Sequence, residues 1–424
     1  MTGMGSNMTV GELGRVLLTL RGYQWVLGTT GDPYALLLRA EGGDPHALGR
    51  QVRERGDLYQ SITTAWVTAD HAFATAALAD PRLAPRPVRS PGEPDDLPGD
   101  GDPMPWEIPP LYRAFPMDAA YLDGERADHA RLLDAAAPLL GTEAVERHRP
   151  EAAGICERAL KTSPPEFDLM TGYARPVAAA VTAAVLGLPP DQHDRFAALC
   201  AGTAGALDAT FVPPHLSVAR ELTASVSALR ELLAEFVDAE RRVADRADAL
   251  AAGCFTAVVG AEALANLICN ALGLLFERAE LRERLHDDPG AATQVIEETL
   301  RFDPPVRMQR LYAPEDIQVA GRDLTTGSEL VVLVHAANRD PAAFTEPDVF
   351  DVRRHGPEAE SPPLHLGPHG CPDGRLIAPL LRAGATVAVQ SLSALLPAVH
   401  PAGPRLHRLR APATRGTLRF PVAA

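Results

Sequence analysis

The amino-acid sequence predicts a mainly α-helical protein with one small β element. Apolar residues recur at helical spacing along most of the 424 residues, and several of these segments start at Pro or Asp residues that favour a helix N-terminus. Strand patterns are few and clustered near the two ends of the chain. No repeat of about 20–50 residues is present, so solenoid architectures are set aside.

The predicted helices follow one another along almost the whole chain. Pro189-Pro190 and Asp288-Pro289 mark two helix starts, because the N–H groups of a first turn have no helical partner and proline is tolerated there. The predicted ranges are residues 11–20, 44–54, 70–78, 124–140, 143–160, 177–186, 190–207, 218–246, 251–275 and 291–301.

The predicted strands cover residues 62–67 early in the chain and residues 317–319, 330–334 and 417–420 late in it. Two β runs within residues 315–334 are joined through glycine-containing turns, which predicts a hairpin. We expect the early strand to pair with late strands beside the helical body.

Composition excludes several classes of function. A chain that is 46% hydrophobic and 424 residues long can bury a large core, and its net charge of -15 would repel the phosphates of a nucleic acid. The five cysteines are widely spaced, which favours neither a disulfide framework nor a zinc site. The sequence shows no signal peptide and no apolar run near the ~20 residues that span a membrane, so we expect a cytoplasmic protein with no membrane contact.

Proline is concentrated in one stretch. Ten of the 39 prolines fall in residues 85–116, where neither helix nor strand can propagate. This long loop is either functional or disordered, and helical sequence resumes on both sides of it. We therefore predict an N-terminal helix and arm over residues 1–40 and a single domain over residues 41–424 that contains the loop.

Several motifs in the C-terminal half occur together and in a specific order. They are Glu298-x-x-Arg301, Asp303-Pro304-Pro305, Arg310, the run from Ala336 to Pro341, Phe350-Asp351 and the run from Leu364 to Cys371. Together they resemble the bacterial cytochromes P-450, which are haem-thiolate monooxygenases. The resemblance covers roughly residues 60–424 and implies a cytochrome P-450-like fold.

Glu298 and Arg301 lie at i, i+3 on one face of a predicted helix. An exposed pair of this kind contributes only about 0.2–0.5 kcal/mol to stability. The resemblance implies instead a buried structural network, with Arg353 or Arg354 as its third member.

The resemblance also implies a haem site, formed by Cys371, His129, Arg310 and His369. The sequence departs from that site at several positions. Glu262 is followed by Ala263 and Leu264, which cannot donate a hydrogen bond to bound oxygen. Leu133 stands where the family has a cation for a haem propionate, and Cys371 is followed by Pro372 and Asp373, which disfavour a bound thiolate. We therefore expect no cofactor, no metal and no catalytic residue, with haem b bound by Cys371 as the alternative.

Residues 11–38, the stretch from Trp66 to His71 and Arg415-Gly416-Thr417 resemble the cytochrome P-450-like auxiliary proteins of antibiotic glycosyltransferases. This resemblance implies a haem-free, non-catalytic protein that forms a hetero-oligomer with a glycosyltransferase and activates or stabilises it. The partner would attach a deoxysugar to a macrolide or anthracycline aglycone. The alternative is a haem-thiolate monooxygenase of secondary metabolism.

The N-terminal segment is the first candidate for the partner contact. It combines an amphipathic helix with a glycine-rich turn that holds Tyr23 and Trp25, and an interface core is often built from aromatic and Arg side chains. Arg15, Arg21, Tyr23 and Trp25 are the first candidate residues, and Trp106 in the proline-rich loop is the next. The other interpretation is an entry helix that packs on its own body.

Overall fold

The computed structural model of the chain describes residues 9–40, 43–84, 126–236, 243–355, 372–393 and 398–423. Helices dominate these ranges, and the strands form small sheets, so the predicted fold class is confirmed. The proline-rich loop over residues 85–116 lies outside the described residues.

The helices of the first half are α1 (Val10–Gly28), α2 (Pro33–Arg39), α3 (Pro45–Glu54), α4 (His71–Ala79), α5 (Arg126–Leu140), α6 (Thr142–Arg147), α7 (Arg149–Thr162), α8 (Arg175–Val185), α9 (His193–Gly202) and α10 (Ala206–Ala209). Those of the second half are α11 (Leu216–Phe236), α12 (Val243–Phe255), α13 (Ala261–Phe276), α14 (Ala279–Asp287), α15 (Ala292–Phe302), α16 (Val334–Ala337) and α17 (Pro372–Ser393). A π-helical turn, Thr256–Gly260, joins α12 to α13, and we call these three pieces the central helix.

The strands are β1 (Tyr59–Gln60), β2 (Trp66–Thr68), β3 (Glu166–Asp168), β4 (Met308–Tyr312), β5 (Ile317–Val319), β6 (Arg322–Leu324), β7 (Glu329–Leu333), β8 (His400–Pro401), β9 (Leu406–His407), β10 (Thr417–Arg419) and β11 (Pro421–Ala423). The largest described sheet has the order β1-β2-β7-β4. In it β2 runs parallel to β7, with Trp66 opposite Leu330. The expected pairing of an early strand with a late one is therefore confirmed.

The predicted hairpin between residues 317–319 and 330–334 is wrong. β5 pairs with the nearer β6 through a two-residue turn at Ala320 and Gly321, both of which have positive φ angles. Turns of this kind match the twist of a tight hairpin and favour the short connection. β7 pairs instead with β4, a strand that the sequence pattern did not reveal.

Helix α1 is longer than predicted. Thr9 and Glu12 form a reciprocal capping box that starts the helix, and the helix continues without interruption to Gly28. An internal glycine such as Gly22 costs a helix only about 1 kcal/mol. Burial of Leu17 offsets this cost, so the predicted turn at Tyr23 and Trp25 is helical instead.

The core is built around the central helix and α17, which pack closely. A Cβ atom added to Gly384 would lie 2.8 Å from Leu264 Cδ2, so a larger residue at this position would force the Leu264 side chain to move. The segments Arg246–Phe276 and Leu376–Ser393 are long and apolar enough to cross a membrane by composition, contrary to expectation. In an apolar 18-residue window of each segment, 89% and 72% respectively are buried within the protein, so interior packing accounts for their apolar character.

Glu298 and Arg301 form a fully buried, two-pronged ion pair on α15. The Arg301 Nη2 and Nε atoms lie 2.7 and 2.9 Å from the two Glu298 carboxylate oxygens. Arg301 also donates to three backbone carbonyls, those of Asn338, Pro347 and Val349. The structure places Arg354 beside the pair, with its Nε 3.6 Å from Glu298 Oε1, whereas Arg353 turns outward to Asp351.

We expect Glu298→Gln to lower the free energy of unfolding by about 3 kcal/mol or more, because it leaves the Arg301 charge buried without its counterion. Urea denaturation followed by circular dichroism measures the change. The matched control is the neighbouring Glu297→Gln, since Glu297 pairs with Arg382 in a partly exposed position. Equal effects of the two substitutions would show that the buried network does not organise this part of the fold.

Candidate functional site

Glu262 is the buried acid of the central helix, immediately after its π-helical turn. It accepts from Arg175 Nε at 3.2 Å and Nη2 at 3.3 Å, and a hydrogen bond from Arg408 Nη2 completes a double ion pair. Asn266 Nδ2, one turn further along the helix, lies 3.3 Å from the same carboxylate. Two arginines from distant parts of the chain therefore hold this carboxylate in place.

Sequence reasoning missed both partners of Glu262. Arg175 is 87 positions away in sequence and Arg408 is 146 positions away. No local spacing relates an acid on one helix to arginines at such distances. Only the folded packing of α8 and the C-terminal segment, residues 405–417, brings the three side chains together.

The two positions after Glu262 are apolar and buried. Ala263 and Leu264 are 2% and 0% exposed, so no hydroxyl stands where the cytochrome P-450 resemblance requires one. One turn earlier, a Cβ atom on Gly260 would lie 3.1 Å from Ile377 Cγ2 of α17. Apolar packing against α17 therefore occupies the face of the central helix that Gly260 and Leu264 share.

Arg310 on β4, a predicted haem contact, has its partners within the protein. Its Nε lies 2.8 Å from Glu329 Oε1, and its Nη1 donates to the Thr210 carbonyl at 2.7 Å. The guanidinium also stacks 4.4 Å from the centre of the Phe211 ring. Burial alone would lower the pKa of Arg310, but the Glu329 carboxylate together with Tyr312 and Tyr34 outweighs burial, so that pKa is raised.

The other predicted haem contacts are only partly described. His129 lies on α5, where only its backbone is described, and Leu133 packs against the main core. Cys371, His369 and Trp106 lie outside the described residues. Within the described ranges, no group of three or more His, Cys, Asp and Glu residues lies close enough to hold a metal ion.

The described side chains lack several groups that the cytochrome P-450 resemblance implies for a haem site. These groups are a hydroxyl on the central helix and free cations for two propionates. Ala263 and Leu264 offer no donor, Leu133 is apolar, and the Arg310 cation is neutralised by Glu329. The geometry instead builds a fixed ionic anchor at Glu262.

Helix α1 carries a concentrated apolar surface. Five of the eleven exposed large hydrophobic side chains among the described residues are on it, namely Val10, Leu18, Tyr23, Trp25 and Val26. Leu18, Gly22 and Trp25 recur at i, i+4 and i+7, which places them on one face. No atom lies within 4 Å of a Cβ built on Gly22, so another backbone has room to approach there.

The four N-terminal candidate residues differ in their surroundings. Arg15, Tyr23 and Trp25 are exposed, and the Arg39 guanidinium covers one face of the Trp25 ring at 3.4 Å. Arg21 turns towards the protein, with its Nη1 3.0 Å from His215 Nδ1. Arg21 therefore helps to hold α1 on its own body, while the other three remain available to another molecule.

Residues 203–215 connect α1 to the Glu262 anchor. On one side, Gln24 Nε2 of α1 donates to the Phe211 carbonyl at 2.8 Å. On the other side, buried Asp208 accepts from the Thr414 hydroxyl at 2.6 Å and from two backbone N–H groups of the C-terminal segment. Arg408 also donates to the Ala204 carbonyl at 2.6 Å. Polar contacts thus run from α1 through residues 203–215 to the central helix.

A family model, sequence relatives and solved structures were each found to be similar to this chain. A family model described as cytochrome P-450 matches residues 291–376. Protein AknT of Streptomyces galilaeus is 41% identical over 438 residues, which cover 98% of this chain and 97% of the relative. The cytochrome P-450 family protein EryCII of Saccharopolyspora erythraea is 33% identical over 420 residues, which cover 97% of each chain. Ligand-free CYP164A2 of Mycobacterium smegmatis, a solved structure, has a TM-score of 0.74 at 24% identity and covers 92% of this chain and 99% of its own.

We expect Glu262→Gln to speed amide hydrogen exchange in residues 405–417, because Arg175 and Arg408 would lose the charge that holds them. Removal of one partner from a buried ionic cluster costs about 3–5 kcal/mol. Exchange followed by mass spectrometry measures the change, and the Arg408 amide, which donates to the Gly416 carbonyl at 2.8 Å, lies in the affected peptide.

The control is Glu277→Gln at the end of the same helix, where the carboxylate is 73% exposed. It should leave exchange in residues 405–417 unchanged. If Glu262→Gln also leaves that exchange unchanged, Glu262 does not anchor the C-terminal segment.

Proposed function

The chain belongs to the cytochrome P-450 family, among the P-450-like auxiliary proteins of antibiotic glycosyltransferases, and we propose that it acts without catalysis of its own. Its proposed role is to bind a glycosyltransferase directly and to activate or stabilise it. The partner would attach a deoxysugar to a polyketide aglycone of the macrolide or anthracycline type.

The observation that carries the non-catalytic proposal is the double ion pair at Glu262. An acid that moves protons must change its protonation state or its partners during each cycle. Glu262 is 6% exposed and held by two arginines, and the next two residues offer no hydroxyl to continue a proton path. These contacts support a structural role for the residue.

The proposed partner surface is the exposed face of α1, formed by Arg15, Leu18, Gly22 and Trp25. At 1.5 Å per residue, the 19 residues of α1 span about 28 Å. Stable interfaces bury at least about 1,000 Å² with aromatic and Arg anchors near the centre. Trp25 and Leu18 provide such an apolar centre, and Arg15 provides a cationic rim that fits an acidic edge on the partner.

Activation requires that the protein bind the active conformation of its partner more tightly than the inactive one. The polar contacts that fix α1 to the body support this role, because a fixed helix loses little conformational entropy when it binds. A mobile arm would lose part of its binding energy to ordering. The protein therefore offers the partner a preformed surface.

We expect the double substitution Leu18→Ala and Trp25→Ala to weaken co-purification with the glycosyltransferase encoded nearby by at least tenfold and to reduce its stimulated turnover in parallel. Each hot-spot side chain typically contributes about 2 kcal/mol or more to binding. The control is Val349→Ala, an exposed apolar residue elsewhere on the surface. Wild-type affinity in the double variant would overturn the assignment of α1, whereas failure of the wild-type protein to bind or stimulate the enzyme would overturn the proposed function.

We expect the purified protein to show no Soret band of a thiolate-ligated haem after reduction in carbon monoxide, and Cys371→Ala to retain full stimulation of the glycosyltransferase. The reason is that the two residues after Glu262 carry no hydroxyl and that the Arg310 cation is already paired with Glu329. One haem per chain in the wild-type spectrum, lost in Cys371→Ala, would favour the alternative function, a haem-thiolate monooxygenase.

A further inference from the structure

A basic cluster lies at the start of β4, apart from the Glu262 anchor. Its centre is Arg307, whose side chain is 2% exposed. Arg307 Nη1 lies 2.7 Å from Asp303 Oδ1, but its Nη2 atom is buried with no hydrogen-bond partner. A buried donor without an acceptor is costly, so this atom indicates a missing ligand.

His46 is the second element of the cluster. Its Nδ1 atom is also buried without a partner, and its ring centre lies 5.9 Å from that of His335. His335 in turn contacts the Arg307 carbonyl through Nδ1 at 3.2 Å. The Arg307 charge is also close enough to His46 to lower its pKa, so the two residues, each with one unsatisfied polar atom, lie in one neighbourhood.

The charges around these two atoms are unbalanced. The cations that act on Arg307 are those of Arg339, Arg405 and Arg415. The facing acids are Asp303, which is close to Arg307, Asp348, which pairs with Arg339 and is 59% exposed, and Glu277, which acts on Arg405 and is 73% exposed. Four arginines thus face three carboxylates, two of them largely exposed, which leaves an excess of one positive charge.

The three histidines of the cluster do not offset this excess. Burial and the neighbouring arginines lower the pKa of His335 to about 3 and that of His407 to about 4, and the same causes lower the pKa of His46. All three rings are therefore neutral at neutral pH. His335 contacts carbonyl groups through both ring nitrogens, so His46, whose Nδ1 has no partner, is the ring that can offer an N–H group to a ligand.

Arg415 lies at the accessible side of the cluster. Its backbone adopts the left-handed conformation, with φ of 46°, which is unfavourable for a residue with a Cβ atom. The residue is partly exposed. Its guanidinium has no hydrogen-bond partner among the described residues. Backbone strain of this kind persists where the surroundings demand it and is frequent at ligand sites.

We propose that this cluster is a binding site for a small monovalent anion of the halide class, held between Arg307 Nη2 and His46 and closed by Arg415. A water molecule would satisfy the two polar atoms but would leave the positive charge uncompensated. An anion does both. The proposed anion is small because the Nη2 atom is buried, and His46 and Arg415 are the partly exposed members of the cluster.

The test compares thermal unfolding of the full chain in sodium chloride and in sodium gluconate at equal ionic strength. We expect chloride to raise the melting temperature with the logarithm of its concentration, by roughly 1–2 °C across a fifty-fold range, and the bulky gluconate to have no such effect. Equal responses to the two salts would show general screening only and would overturn the proposal.

Two substitutions localise the effect. Arg415→Gln should abolish the difference between chloride and gluconate, and Arg419→Gln, an exposed arginine on β10, should retain it. Loss of the difference in both variants would assign it to net charge and contradict the site. His46→Asn provides a second variant at the site in case Arg415→Gln does not fold.

A second experiment locates the anion directly and does not rely on a change in stability. Crystals soaked in sodium bromide should show an anomalous peak at about 3.3 Å from Arg307 Nη2 in the wild-type protein. The absence of a peak there would rule the site out. This outcome does not depend on the partner protein, so it leaves the proposed function unaffected.

Discussion

The buried carboxylate of Glu262 is the constraint on which much of this structure depends. A charge in the middle of the central helix is tolerated only with counterions, and Arg175 and Arg408 provide them from α8 and from the C-terminal segment. Each of the three elements is thereby tied to the other two. The C-terminal segment in turn holds residues 203–215 through Asp208, and those residues contact α1.

This arrangement supports the proposed non-catalytic role. A carboxylate fixed by two arginines is poorly suited to move protons, but it is well suited to hold a scaffold. The exposed apolar face of α1 rests on that scaffold instead of projecting as a free arm. A partner that binds there meets a surface whose shape is already set, so binding requires little further ordering.

Buried arginines serve this protein in two different ways. Every hydrogen-bond donor of Arg301 has an acceptor, either Glu298 or one of three carbonyl groups, and this residue stabilises the fold. Arg307 has an unsatisfied donor, because Asp303 accepts from its Nη1 atom and its Nη2 atom has no partner. For this reason we assign Arg301 a structural role and propose a ligand site at Arg307.

Local sequence patterns were sufficient for several features. Helical spacing predicted most helices, and the i, i+3 relation of Glu298 and Arg301 predicted their shared face. The identities of Ala263, Leu264 and Leu133 also predicted the absence of an oxygen-binding hydroxyl and of one propionate cation. Other features depend on contacts between distant segments: the continuation of α1 past Gly22, the pairing of β7 with β4, the partners of Glu262 and the neutralisation of Arg310 by Glu329. Backbone periodicity and residue chemistry are local properties, whereas a counterion 146 positions away is brought into place only by the packing of the whole chain.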